Sequence, residues 1–134
     1  MPAFSARIAR IALLHLAAGL TIGFLLLANK GVPFAPALWR LLPAHVELLL
    51  VGWTVQLAFA VTHWIIPRFR GGRFGQVLLA RLSLLFLNAG VILVVVGSLV
   101  PLQTVAFTIG RILEAASVIL FALYIWSRIR PSGQ

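Results

Sequence analysis

His15, His45 and His63 each stand inside a long apolar run, and so do Glu47, Arg111 and Glu114. An imidazole can hold a metal, exchange a proton or bridge two polar groups. The second apolar run, from Leu42 to Pro67, carries the clearest pattern. Along it, His45, Gly52, Gln56 and His63 are spaced so that an α-helix, turning about 100° per residue, brings them within about 20° of one direction. A polar stripe on an apolar helix is costly unless it faces protein, water or a bound group. Function is therefore sought along that stripe.

Each polar residue has an ordinary role beside a functional one. His45 opens its run, where water or a lipid headgroup could satisfy it. Its imidazole nitrogen could equally be an axial ligand to haem iron. Gln56, on the same side, is a candidate contact to that group. His15 and His63 sit at comparable depth and form an alternative pair of iron ligands; otherwise each bonds a carbonyl or hydroxyl. At helical rise His15 lies roughly 20 Å from the depth of His45, and His63 about 27 Å. Two nitrogens on one metal stand only about 4 Å apart. A second ligand to iron at His45 must then come from another copy, from another subunit or from nowhere. Glu47 lies about 200° around from His45 and either orients an imidazole, holds a proton or is a surface charge. Arg111 and Glu114 share a helical face and form an intrahelical ion pair; alternatively, Arg111 or Arg40 pairs with haem propionates. Asn88 is expected to bond a neighbouring helix. No residue is assigned a catalytic role.

Those residues need membrane-crossing helices to position them. The chain has 134 residues, is 62% hydrophobic and 10% charged, and has a mean hydropathy of +1.10. A soluble domain is about 45–50% apolar and about 25% charged. The composition predicts an all-α, polytopic membrane protein with the lipid bilayer as its solvent. Four apolar runs, about 8–28, 45–66, 77–100 and 106–127, each exceed the ~20 residues that cross a bilayer. They predict one domain over 1–134, a four-helix up-down bundle. The net charge of +9 does not point to nucleic acid, because the basic residues cluster at the ends of the runs. Eight of them (Arg7, Arg10, Arg68, Arg70, Arg73, Arg81, Arg128, Arg130) fall on one side and two (Lys30, Arg40) on the other. That asymmetry puts both termini in the cytoplasm, and the membrane is expected to be a bacterial inner membrane.

Punctuation agrees with this layout. Pro33, Pro36 and Pro43 break the first outer loop, Trp39 marks an interface, and Pro67 and Pro101 end spans. Gly71 and Gly72 mark an inner turn, and the tail from Pro131 is expected to be disordered. Gly19 with Gly23, and Ser83 with Gly90 and Gly97, make rows of small residues that pack helices within the chain or between copies. The chain has no cysteine, which excludes disulfides and thiolate metal sites. Only two acidic residues leave little for a carboxylate metal site or a paired-carboxylate hydrolase.

The segment His-Val-Glu-Leu-Leu-Leu-Val-Gly-Trp, beginning at His45, is followed by Ala-Phe-Ala-Val-Thr-His-Trp-Ile-Ile-Pro-Arg, beginning at Ala58. Together they resemble the second membrane helix of the catalytic subunit, subunit I, of haem-copper oxidases, most nearly the nitric-oxide-reductase branch. The resemblance implies that His45 ligates a low-spin b-type haem near the outer surface. It implies an electron-transfer role in a respiratory chain, as a homo-oligomer or within a larger membrane complex. It covers only the opening four-helix portion of such a subunit, and the family's later metal ligands have no counterpart here. The chain alone is therefore not expected to be catalytic. The alternative expectation is a cofactor-free accessory or assembly subunit of a membrane respiratory complex. A small transport oligomer, with His45, Gln56 and His63 lining a path, is a third.

Overall fold

A computed structural model describes residues 2–66, 74–100, 103–126 and 128–129. Pro67, Pro101, Arg68, Arg70, Gly71, Gly72, Arg73, Arg130 and the tail from Pro131 lie outside the described residues. Hydrocarbon offers no hydrogen bonds, so a crossing segment must satisfy its own backbone, and apolar runs of this length do so as helices. Helix α1 spans Ala3–Gly31, α2 spans Pro36–Ile65, α3 spans Phe74–Gly97 and α4 spans Gln103–Trp126. All four are long and apolar enough to cross a membrane, and the described residues contain no strand. The protein is a multi-pass, all-helical membrane protein. Large apolar side chains such as Leu14, Phe24, Leu27, Leu50, Leu85 and Ile112 point away from the protein. That is costly in water and natural in lipid.

Helices α1 and α2 begin earlier than the apolar runs suggest. The prolines explain α2. Pro36 opens a 3-10 segment, Pro36–Leu41, and Pro43 sits in the first turn of the α segment Leu42–Glu47. In a first turn the missing proline N–H is not needed, so these prolines start helical structure rather than break it. The short α1–α2 connection is organised by buried Asn29, whose Oδ1 accepts from the Phe34 and Ala35 N–H groups at 3.1 and 2.8 Å. Beyond Glu47, α2 widens into a π-helix over Leu48–Val55 and returns to α geometry over Gln56–Ile65. The Thr54 hydroxyl donates to the Leu49 carbonyl at 2.9 Å, five residues back, in keeping with the wider turn.

Two helix pairs make up the fold. In the first, α1 and α2 run in opposite directions. Gly19 lies against Leu48 and Leu49, Gly52 against His15, and Phe4 against His63. In the second, α3 and α4 also run in opposite directions, with Gly90 against Gly110 and Gly97 against Ala106 and Phe107. The Ser117 hydroxyl donates to the Ser83 carbonyl at 2.6 Å across the same pair. Both rows of small residues thus act within the chain. Asn88 does not bond a neighbouring helix; its Nδ2 donates to Leu84 O of its own helix at 2.8 Å, the carbonyl one turn back being nearer than any partner. The pairs join where Phe59 of α2 stacks on Phe121 of α4, in a core with Ala80, Leu87, Tyr124 and Ile125.

The α3–α4 crossing is the tightest. A Cβ at Gly90 would stand 2.8 Å from the Gly110 carbonyl oxygen and 2.7 Å from Glu114 Cγ. The backbone oxygen cannot give way without moving a helix. Gly90→Ala is expected to destabilise the protein by about 1–3 kcal/mol, the usual range for overpacking. Gly31→Ala, at a position with open space, should be neutral. Unfolding of both variants in detergent micelles, followed by circular dichroism, checks the difference.

Candidate functional site

The polar stripe of α2 faces α1 from His45 to Gln56, despite the π-helical segment, and at His63 it meets both α1 and α4. His45 Nδ1 lies 2.7 Å from the Gly19 carbonyl oxygen. His15 of α1 answers it one step along, with Nδ1 3.0 Å from the Gly52 carbonyl oxygen. Gln56, fully buried, donates from Nε2 to the Ile8 carbonyl at 3.4 Å. His63 packs edge-on against the Phe4 ring, with centroids 4.9 Å apart. A carbonyl oxygen only accepts, so both His15 and His45 must carry hydrogen on Nδ1. In each, Nε2 is then the nitrogen with the free lone pair. Among the described residues, the buried side-chain polar atoms without a partner are Ser5 Oγ, Glu47 Oε1, Gln56 Oε1 and Glu114 Oε1. His45 Nε2 is not one of them, and no group among the described residues bonds it, so it opens at the surface of the bundle.

His15 and His45 lie nearer each other than their sequence depths suggest. His45 stands level with Gly19 and Gly23, and His15 level with Gly52, which separates them by about 10 Å along the seam. The reason is that α1 starts at Ala3, which moves His15 toward the middle of the helix. This is still too far for one iron. His15 and His63 are not brought together. His63 is level with Phe4, about 16 Å from His15 at helical rise. Its Nδ1 lies 2.6 Å from the Tyr124 hydroxyl, in hydrogen-bond contact, and Arg128 both hydrogen-bonds that hydroxyl and lies over the Tyr124 ring. Among the described residues, no group of three or more His, Cys, Asp or Glu could hold a metal ion.

Glu47 is not a surface charge. It is buried, and its Oε2 lies 2.6 Å from Arg111 Nη1, which also meets Glu114 Oε2 at 2.7 Å. The ion pair expected within α4 is present and extends across the bundle to α2. One guanidinium nitrogen thus ties three residues on two helices. Gly90 makes this possible, since only a residue without a side chain lets Glu114 lie flat against α3. Arg111 is committed to carboxylates rather than left open for a propionate, although half of its side chain is exposed. Arg40 is exposed in the 3-10 segment, at the same end of the bundle as His45.

Sequence reasoning missed the Glu47–Arg111 bond, Gly110, and the role of Tyr124 and Arg128. A signal existed for the first. Glu47 lies on the opposite side of α2 from the His45 stripe, so it had to face another helix or lipid. The choice of Arg111 as its partner depends on how α4 packs, which spacing does not encode.

Removing the cation from this triad leaves two buried carboxyl groups without a counter-charge. Arg111→Met is expected to cost roughly 3 kcal/mol, the lower end of the range for breaking a buried pair, because Arg111 itself is half exposed. Arg40→Ala should cost little. Denaturation in micelles, with a double-mutant cycle against Glu47→Gln, measures both. Searches against protein-family models, curated proteins and solved structures find no match to this chain.

Proposed function

We propose that this protein is a haem-binding membrane subunit of a respiratory complex, with His45 as an axial ligand to a b-type haem and with no catalytic activity of its own. The observation that carries the reading is the state of the His45 ring. Its Nδ1–H is committed to a main-chain carbonyl, and its Nε2 is open at the bundle surface. A metal-bound histidine is typically held this way, because the second hydrogen bond sets the tautomer, orients the ring and raises the basicity of the ligating nitrogen. The residues fit the group: His45 would hold the iron, and exposed Arg40 would pair with a propionate. When bound, the haem would supply one-electron redox chemistry. No other histidine of this chain reaches the same iron, so a second ligand would come from another copy, from another subunit or from nowhere. The resemblance of the His45–Arg68 segment to haem-copper oxidase subunit I agrees with this assignment.

In this reading the chain is an up-down bundle in a bacterial inner membrane, with both termini cytoplasmic. Its support is the excess of arginine at the end that holds Arg7, Arg10, Arg81 and Arg128, over the end with Lys30 and Arg40.

A second reading has its own support. The bonds from His45 to Gly19, His15 to Gly52 and Gln56 to Ile8 account for most of the polar stripe without any ligand. The protein would then be a cofactor-free accessory or assembly subunit. A visible spectrum separates the two. Protein expressed with ample haem and purified in mild detergent is expected to show a Soret band that His45→Ala abolishes and His63→Ala retains. A colourless protein that co-purifies with a larger respiratory complex would overturn the haem assignment and favour the second reading.

A further inference from the structure

We propose that Gly19 and Gly23 are positioning residues for His45, together forming a slot on α1 that fixes its tautomer and aims Nε2 outward. The inference rests on the haem reading for its consequence but not for its geometry. The two glycines lie four residues apart and so share a face of α1. Their spacing matches a helix-packing motif, yet they do different things. Gly19 packs against Leu48 and Leu49 and offers its carbonyl oxygen to His45 Nδ1 at 2.7 Å. Gly23 packs against the imidazole itself. A Cβ built there would stand 2.4 Å from His45 Cε1, 2.9 Å from Nδ1 and 3.3 Å from Nε2. The ring therefore lies directly on the backbone of Gly23, and even a methyl group would evict it.

The consequence is specific to the imidazole. A histidine at the edge of an apolar helix has several rotamers and two neutral tautomers, which lie close in energy. Only with the ring in the Gly23 slot does Nδ1 reach the Gly19 carbonyl. That bond requires hydrogen on Nδ1 and leaves Nε2 with the sole ring lone pair, at an atom that is not sealed inside the seam. Losing a partner of this kind typically lowers metal affinity about 10–100-fold. His15 offers an internal comparison. It too bonds a glycine carbonyl across the seam, at Gly52, where a Cβ would stand 2.8 Å from its Nδ1. Gly52→Ala should disturb the same helix pair without touching the His45 slot.

The test uses the full chain in micelles with 15N-labelled histidine, assigned by comparison with His45→Ala. In the haem-free protein, His45 is expected to show a protonated Nδ1 and a bare Nε2. Gly23→Ala should abolish that signature while circular dichroism stays helical, and Gly52→Ala should leave it intact. In the haem-loaded protein, Gly23→Ala should weaken haem retention about 10–100-fold, and Gly52→Ala should not. An unchanged His45 signature in Gly23→Ala overturns the slot, whether or not haem binds. Equal loss of the signature in Gly23→Ala and Gly52→Ala also overturns it, since that would be general loosening of the seam. If the wild type takes up no haem yet its His45 signature responds as expected, the slot stands and the haem reading falls.

Discussion

The seam between α1 and α2 is held by side chains bonded to main-chain carbonyls of the facing helix, and the rest of the architecture depends on this device. His45 reaches the Gly19 carbonyl, His15 the Gly52 carbonyl and Gln56 the Ile8 carbonyl. Inside hydrocarbon the apolar surfaces of helices gain little by associating, because lipid is as apolar as they are. Polar bonds and close backbone approach must supply the specificity. A carbonyl already bonded within its helix keeps a second lone pair, so it can accept another donor without opening the helix. The stripe therefore places its ring and amide donors on facing carbonyls and sets the register of the pair at once.

The second hairpin is joined to the first by charge and by ring stacking. Arg111 holds Glu47 of α2 and Glu114 of its own helix at one nitrogen, near the end of the bundle that carries His45. Tyr124 meets His63 near the other end, with Phe59 on Phe121 between. Apart from the Arg111–Glu114 pair these contacts run from α2 to α4, and α2 also packs on α3, so α2 is the hub of the molecule. The glycines at the α3–α4 crossing make the arrangement possible. Without the space at Gly90, Glu114 could not lie against α3 to meet the guanidinium. A π-helical segment in the hub helix, Leu48–Val55, separates the end that holds His45 and Glu47 from the end that holds Gln56 and His63. Such segments are uncommon and often adjoin functional sites.

Several residues were legible from spacing alone. The one-sided placement of His45, Gly52, Gln56 and His63 predicted a covered face, and α1 covers it from His45 to Gln56, with α4 joining at His63. The Arg111–Glu114 pair followed from a separation of three residues. The glycine rows predicted close helix approach, although spacing did not say whether it would occur within the chain. Other features were hidden for physical reasons. Asn88 reaches its own helix because a carbonyl one turn back is always within range, whereas a partner on another helix depends on packing. Pro36 looks like a breaker in the sequence, yet it opens a 3-10 segment where its lack of an N–H is harmless.

The sequence by itself determined that this chain crosses a membrane as helices and which side of the second helix must be covered. Hydropathy and angular periodicity are properties of a segment and its solvent, so they can be read without neighbours. Tertiary structure alone decided which carbonyls His15 and His45 bond, which of their nitrogens make those bonds, and which cation neutralises Glu47. Those outcomes depend on the register between helices, and register is set by the fit of glycine gaps to side chains on a facing surface. No one-dimensional pattern states that fit.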